Sequence, residues 1–107
     1  MATFYALGNY TAQGFQGFCK DPKSDRAQAA RAAAEAVGAK LVSYTGLRGP
    51  YDFLAVFEGT IAQGAGVKMA TEASGALCNI AVCEAVDINE IAANAAKIAG
   101  AYKGPGK

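Results

Sequence analysis

The sequence predicts an α+β fold in which a four-stranded antiparallel sheet carries two helices on one face, with a further helix at the C-terminus. Residues 40–58 form a strand, a turn-rich segment and a second strand, which indicates a hairpin. Strand and helix patterns alternate along the rest of the chain. The second strand of the hairpin is apolar on both faces, whereas an antiparallel strand with one solvated face alternates apolar and polar residues. Both faces of the sheet therefore need a cover.

The first half of the chain supplies two strands and one helix. Residues 3–10 are rich in aromatic and β-preferring residues and predict the first strand. Residues 11–24 carry glycines and a proline and predict a connection with room for one helical turn. Residues 26–37 predict an alanine-rich helix, which follows a serine–aspartate capping pair and ends at Gly38. Residues 40–45 predict the second strand.

The middle of the chain supplies a strand and a glycine-containing helix. Residues 52–58 predict the third strand, after a turn at residues 46–50. Residues 61–73 predict a helix that opens with a capping box and carries one apolar face, formed by Ile61, Ala65, Met69 and Ala73. Gly64 and Gly66 inside this helix cost about 1 kcal/mol each relative to alanine, so we expect it to be the weakest and most mobile element.

The C-terminal part supplies the last strand and the appended helix. Residues 77–86 are apolar for most of their length and predict the fourth strand. A capping signature at residues 87–90 opens a last helix, whose apolar residues recur at three- and four-residue spacing as far as Tyr102. We expect residues 1–102 to form one domain and residues 103–107 to form a flexible tail.

This order of elements is the split β-α-β arrangement of ferredoxin-like folds. By the period-two rule, Phe53, Ala55 and Phe57 share one face of the third strand, and we assign that face to the helices. The opposite face carries Leu54 and Val56 and stays apolar. We therefore expect a homodimer or higher homo-oligomer, in which two sheets pair face to face as a dimeric α+β barrel.

Several short stretches resemble the GYD domain family. The run Gly49-Pro50-Tyr51-Asp52 looks like that family's G-x-Y-D signature, and similarity to its other recurring stretches is found at Tyr5, Leu7 and residues 9–14, 37–41 and 77–80. The resemblance covers residues 3–98. It implies the ferredoxin-like fold and the paired sheets of dimeric α+β barrel proteins, in a family whose biochemical role is largely uncharacterised. The long segment 11–23 and the glycine-weakened second helix depart from the family pattern and affect the shape of any pocket.

Composition excludes several classes of function. The formal net charge is +1 and the basic residues are scattered, so we expect neither nucleic acid nor a membrane surface as a partner. The chain has no histidine, which removes the commonest metal ligand and the usual general base near neutral pH. We therefore expect no metal and no cofactor.

The cysteines indicate a reducing compartment. Cys19, Cys78 and Cys83 are an odd number, and the N-terminus lacks a signal-peptide pattern, so we expect free thiols and a cytoplasmic protein. Cys78 and Cys83 are five residues apart in one strand and are expected on opposite faces. They would then form no common site within that strand.

Tyr51 and Asp52 are the candidate catalytic residues. Asp52 could act as a general base and Tyr51 could hold a carbonyl substrate. Alternatively, Asp52 accepts hydrogen bonds from backbone N–H groups of the turn at residues 46–50 while Tyr51 packs, and we favour this structural role. The candidate ligand-binding residues are Tyr5, Tyr44, Arg48, Glu58 and Asn79.

Three functions are compatible with these features. The first is a homo-oligomeric binding or regulatory module that holds a small apolar molecule between the paired sheets. The second is a cofactor-independent isomerase or oxygenase with Asp52 as the base and Tyr51 or Tyr5 as the polarising group. The third is an assembly protein with a packed interior. We favour the first or the third, because a chain without histidine and with only one or two plausible buried carboxylates is a sparse catalyst. The first two functions both need a cavity of about 300 Å³ or more between the sheets, and a filled interior would leave only the third.

Overall fold

The computed structural model describes residues 2–107 and confirms the α+β fold. Along the described chain the strands are β1 (Ala2–Tyr10), β2 (Lys40–Gly46), β3 (Phe53–Gly59) and β4 (Leu77–Glu84). The helices are α1 (Ala12–Lys20), α2 (Arg26–Ala36), α3 (Ile61–Ala73) and α4 (Ile88–Ala101). None of these helices is long and apolar enough to cross a membrane.

The sheet has the ferredoxin-like strand order. The four strands lie in the order β2-β3-β1-β4, and every neighbouring pair is antiparallel. The longest strand, β1, lies between β3 and β4, and its register with β3 sets Ala6 opposite Ala55. The two inner strands are therefore the first and third along the chain, as a split β-α-β unit requires.

The hydrophobic core lies between the sheet and helices α2 and α3. Phe53, Ala55 and Phe57 are buried on this side, which confirms their predicted assignment to the helix face. The Phe57 ring stacks on Phe4 of the neighbouring strand with centroids 5.5 Å apart. The core is completed by alanines, one leucine and one isoleucine, namely Ala6, Ala34, Ala39, Leu41 and Ile80. We call the opposite side of the sheet the open face.

The structure corrects the sequence prediction for the segment that follows β1, which forms helix α1. Residues 12–20 form nine residues of α-helix where a connection with one helical turn was expected. The Thr11 hydroxyl caps this helix by accepting a hydrogen bond from the Gly14 N–H at 3.2 Å, and the Thr11 N–H donates to the Ala76 carbonyl at 3.0 Å. A Cβ on Gly14 would lie 2.5 Å from that carbonyl oxygen. Gly14 thus allows the helix to pack closely against Ala76, whereas glycine in this stretch of sequence is typical of a loop.

Helix α3 rests on the sheet through a glycine. Gly64 is buried, and a Cβ there would lie 2.9 Å from the Phe57 ring. The apolar face predicted from the spacing instead points to solvent, with Ile61 and Met69 being 62% and 74% exposed. Only the small residue allows the helix axis to approach Phe57, so close packing outweighs hydrophobic periodicity in orienting this helix.

A bulge in β4 changes which side chains reach the open face. Asn79 has a positive φ of 55°, and the pairing with β1 shifts between Leu7 and Asn9. Cys83 lies opposite Tyr5, and Cys78 lies opposite Asn9. Because directly opposite residues of an antiparallel pair share a face, both cysteines lie on the open face. The prediction that they project from opposite faces was wrong, since it assumed an unbroken period of two.

Helix α4 extends away from the sheet as an arm. Asp87 caps its start, and α4 buries none of its residues against the rest of the described chain. The radius of gyration is 18.0 Å, whereas a compact domain of this length has about 13 Å. The apolar residues Ile88, Ile91 and Ile98 of this α4 arm are therefore exposed.

Two glycines of α1 give a matched test of the helix packing. We expect Gly14→Ala to lower the melting temperature, because its methyl group collides with the Ala76 carbonyl. Gly17 has open space around it, so Gly17→Ala should stabilise the protein by up to about 1 kcal/mol through helix propensity. Thermal unfolding followed by circular dichroism measures both. Equal stabilisation by the two substitutions would contradict the docking of α1 against Ala76.

Candidate functional site

A cavity of about 490 Å³, partly open to solvent, lies between the helices and the sheet. We call it the inner cavity. Its walls come from α1, α2 and α3 on one side and from the core face of the sheet on the other, with lining residues that include Phe18, Ala33, Phe53, Val67 and Ile80. The sequence predicted a cavity elsewhere, between two paired sheets, and that prediction concerns a second copy. The inner cavity belongs to a single chain.

The alanines of α2 explain why the space is open. Ala29, Ala30, Ala33 and Ala34 lie on successive turns and all line the inner cavity. Methyl groups reach only a short way toward the sheet, and the α3 side contributes Gly64 at the position nearest Phe57. Small side chains on both covering helices therefore leave a volume that larger residues would fill.

Two tyrosines close one end of the inner cavity. Tyr10 ends β1 and Tyr44 lies in β2, and their hydroxyl groups hydrogen-bond to each other. The Tyr44 ring stacks on Phe53 at 5.7 Å with an interplanar angle of 8°, and Tyr10 meets Phe18 edge to face at 5.0 Å. Packing on both rings holds this tyrosine pair in one position.

A second, more open depression lies on the far side of the tyrosine pair. This outer groove has a volume of about 440 Å³ and includes Phe15, Leu47 and Asp52 in its wall. Both spaces are lined by Tyr10, Phe18, Ser24, Arg26 and Tyr44. The tyrosine pair consequently forms part of the partition between the inner cavity and the outer groove.

Burial keeps both tyrosines protonated. The pKa of Tyr44 lies well above its ordinary value near 10. Burial away from solvent is the largest cause, and the hydrogen bond with Tyr10 raises the pKa further. The pKa of Tyr10 is also raised, again chiefly by burial. The pair therefore offers neutral hydroxyl groups at physiological pH.

Charged side chains of both signs lie at the inner cavity. Lys68 forms an ion pair with Glu72 at 2.6 Å, and the second oxygen of Glu72 accepts a hydrogen bond from the Ile80 N–H at 3.0 Å. The pKa of Glu72 is lowered, first by the Lys68 contact and then by that backbone donor. Asp21 and Arg26 also line the inner cavity, and they carry opposite charges.

Asp52 fastens the turn before β3 to the end of β1. Its Oδ2 accepts hydrogen bonds from the Tyr10 N–H at 3.0 Å and from the Asn9 side-chain amide at 3.2 Å. The same amide donates to the Pro50 carbonyl at 3.1 Å. The sequence favours a structural role for Asp52 with donors from the turn at residues 46–50, but the donors in the structure come from Asn9 and Tyr10 of β1. Pairing of Gly8 with Phe53 explains this, because it brings the end of β1 beside Asp52.

The other predicted site residues are spread over the molecule. Within the described chain, Tyr44 alone among the ligand candidates lines the inner cavity. Tyr5 and Glu58 lie on the open face, opposite Val56 and Thr3 of the neighbouring strands. The remaining candidates are exposed, with Arg48 and Tyr51 in the turn before β3 and Asn79 at the β4 bulge.

Sequence reasoning missed Tyr10 and Arg26 as cavity residues. By the period-two rule Tyr10 shares a strand face with Phe4 and Ala6, and this shared face was the available signal. Arg26 begins α2 and had only its position after the cap to mark it. No cluster of three potential metal-ligating side chains occurs within residues 2–107.

Comparison with known proteins gives one family. A family model described as "GYD domain" matches residues 4–95 of the 107-residue chain, which confirms the predicted resemblance. No significant match was found among curated proteins or among solved structures. The match spans all four strands and reaches into α4.

Replacement of Asp52 tests its structural contacts. We expect Asp52→Ala to lower the free energy of unfolding by about 1–2 kcal/mol, because it removes an acceptor shared by two donors. Glu35 is an exposed carboxylate on α2, and Glu35→Ala should change stability by less than about 0.5 kcal/mol. Urea unfolding of both variants provides the comparison. An Asp52→Ala protein as stable as Glu35→Ala would show that these contacts contribute little.

Alkaline unfolding tests the tyrosine pair. Tyrosines 10 and 44 have raised pKa values in the folded protein, so the folded state retains protons that the unfolded chain loses. The contribution of the tyrosine pair to the free energy of unfolding should therefore be fully present below about pH 10 and should decrease as the pH rises above that value. Urea unfolding between about pH 8 and about pH 11 measures this slope. Tyr44→Phe should flatten it, whereas Tyr102→Phe, at a site that is 67% exposed, should not.

Proposed function

The chain belongs to the GYD domain family, and we propose that it acts as a self-assembling module in which two copies pair through their open faces. The observation that carries this proposal is the α4 arm, which buries none of its side chains against the described remainder of its own chain. An apolar helix stripe without a cover is unfavourable in water, so a second body must pack on it. We assign that second body to another copy of this chain.

The open face supports the pairing. Its centre lies on the two inner strands, where Tyr5 faces Val56 and Leu7 faces Leu54. Tyr5 is 39% exposed, and the other three are only half-buried in the single chain. Bulges in β2 and β4 bend both edge strands, which favours a curved sheet suited to barrel closure.

The size of the interface supports participation of the α4 arm. A four-stranded face of about seven residues per strand has a flat footprint of about 440 Å², using standard strand spacing and rise. A stable specific interface buries about 800 Å² on each partner. A 14-residue helix is about 21 Å long and supplies much of the remaining contact. The net charge of +1 per copy produces little repulsion between two copies.

Two alternatives give the chain a more specific function than self-assembly, namely binding of a ligand between the paired sheets and catalysis. A shared interior would contain the apolar residues Leu7, Leu54 and Val56, which supports a small apolar ligand there, with Tyr5 and Glu58 as polar groups. For an isomerase or oxygenase, Asp52 would have to act on a substrate in the outer groove, because it lines that groove and is not part of the inner cavity wall.

The three free cysteines agree with a location in the reducing cytoplasm.

Sedimentation velocity over a dilution series tests the α4 arm. We expect the full chain to sediment as a dimer or larger homo-oligomer. Ile91→Glu places a charge in the apolar stripe and should weaken association by at least about tenfold, because it removes about 1.5–3 kcal/mol of burial. Ala93→Glu adds the same charge on the opposite side of α4 and should leave association unchanged. Identical sedimentation of the two variants would refute a role for the arm.

A second pair of substitutions tests the open face. Val56→Lys should weaken association, since Val56 lies at the centre of that face. Met69→Lys makes a similar change on the solvent side of α3 and serves as the control. If the unmodified chain sediments as a single copy at every concentration, the self-assembly proposal is wrong.

A further inference from the structure

We propose that the inner cavity binds an uncharged aromatic small molecule that carries one hydroxyl or carbonyl oxygen, with that oxygen bonded to the Tyr10–Tyr44 pair. This site lies between the helices and the sheet, on the side opposite the open face. The inference therefore goes beyond self-assembly and concerns each chain separately. Its basis is the combination of volume, aromatic walls and the Tyr10–Tyr44 hydroxyl pair.

The volume and the apolar lining fit a small organic molecule. Ligand sites of proteins commonly measure about 300–1,000 Å³ and are mostly apolar with a few polar groups. The inner cavity measures about 490 Å³, and its walls consist largely of alanine, aromatic and aliphatic side chains. No buried side-chain polar atom within residues 2–107 lacks a hydrogen-bond partner, so a mostly apolar ligand would leave none of these atoms unpaired.

The aromatic walls favour a flat ring. The rings of Tyr44 and Phe53 are nearly parallel, whereas the rings of Tyr10 and Phe18 meet edge to face. Phe57 adds a further ring to the lining. Aromatic pairs gain about 0.5–1.5 kcal/mol beyond the burial of their area when they stack or meet edge to face. A planar aromatic ligand can make either contact here.

The hydroxyl pair specifies one oxygen on the ligand. Each tyrosine hydroxyl has one proton to donate, and the bond between Tyr10 and Tyr44 uses only one of the two protons. The second proton remains for a ligand hydroxyl or carbonyl oxygen. A tyrosine hydroxyl with its ordinary pKa near 10 is already protonated at physiological pH, and burial raises the pKa of both tyrosines further.

The fixed charges favour an uncharged ligand. Lys68 is paired with Glu72, and Asp21 and Arg26, which form no ion pair with each other, contribute one charge of each sign to the lining. An ionised ligand would lose its hydration without meeting a surplus of opposite charge. A neutral ligand avoids that cost.

Fluorescence titration with 2-naphthol tests the site. The chain has no tryptophan, so the naphthol emission is measured without indole background. We expect saturable binding of 2-naphthol and weaker binding of naphthalene, which lacks the oxygen. Because either tyrosine alone keeps one proton to donate, the double variant Tyr10→Phe/Tyr44→Phe should weaken 2-naphthol binding about fivefold, the value of one neutral hydrogen bond, and leave naphthalene binding unchanged. Tyr51→Phe, at a tyrosine in the exposed turn, is the control and should behave as the unmodified chain.

Filling the space provides an independent readout. Ala33→Leu should abolish binding of both compounds, with folding verified by circular dichroism. Ala29→Met, at a more exposed lining position, provides the same test if Ala33→Leu does not fold. Absence of saturable 2-naphthol binding, or binding that survives the filling substitution, overturns the proposal. Equal losses for both compounds in Tyr10→Phe/Tyr44→Phe overturn the role of the tyrosine pair.

The two proposals can fail separately. Ile91 lies on the α4 arm, away from the inner cavity, so Ile91→Glu should bind 2-naphthol as tightly as the unmodified chain does. A single-copy protein that binds 2-naphthol would refute self-assembly and support the cavity. A dimer that does not bind 2-naphthol would support self-assembly and refute the cavity site.

Discussion

Helices α2 and α3 reach only one face of the four-stranded sheet, and this one-sided cover governs the arrangement of the rest of the chain. On the covered side the sheet contributes Phe4, Phe53 and Phe57 to a compact core. On the other side Leu7, Leu54 and Val56 are held only by their neighbours within the sheet. The last helix does not return to cover them, and extends outward instead. Apolar surface therefore remains at two places that a second copy can reach.

Side-chain size on the covering helices determines where the core is tight and where it is open. Gly64 lets α3 approach the Phe57 ring, so that region is closely packed. The alanines of α2 approach the sheet without filling the space in front of it. The same use of small residues thus produces close packing at one point and the inner cavity beside it. The tyrosine pair lies where that cavity meets the outer groove.

Strong periodic patterns made most of the fold predictable, whereas local departures from periodicity did not. The alternation of strands and helices, the hairpin and the helix caps follow from residue types at fixed spacing. Helix α1 was missed because Gly14 resembles a loop residue and its packing against Ala76 is a tertiary contact. The bulge at Asn79 was missed because one inserted residue leaves no clear pattern. The tyrosine pair depends on strand order, since Tyr10 and Tyr44 lie on strands that β3 separates.

The bulge in β4 has a chemical consequence for a paired assembly. It brings the thiols of Cys78 and Cys83 to the same side of the sheet, while Cys19 remains exposed on α1. In a face-to-face pair the first two would be shielded from alkylating reagents, and Cys19 would stay accessible. The ratio of slow to fast thiol modification would then report how much of the protein is dissociated, with Cys19 as an internal reference.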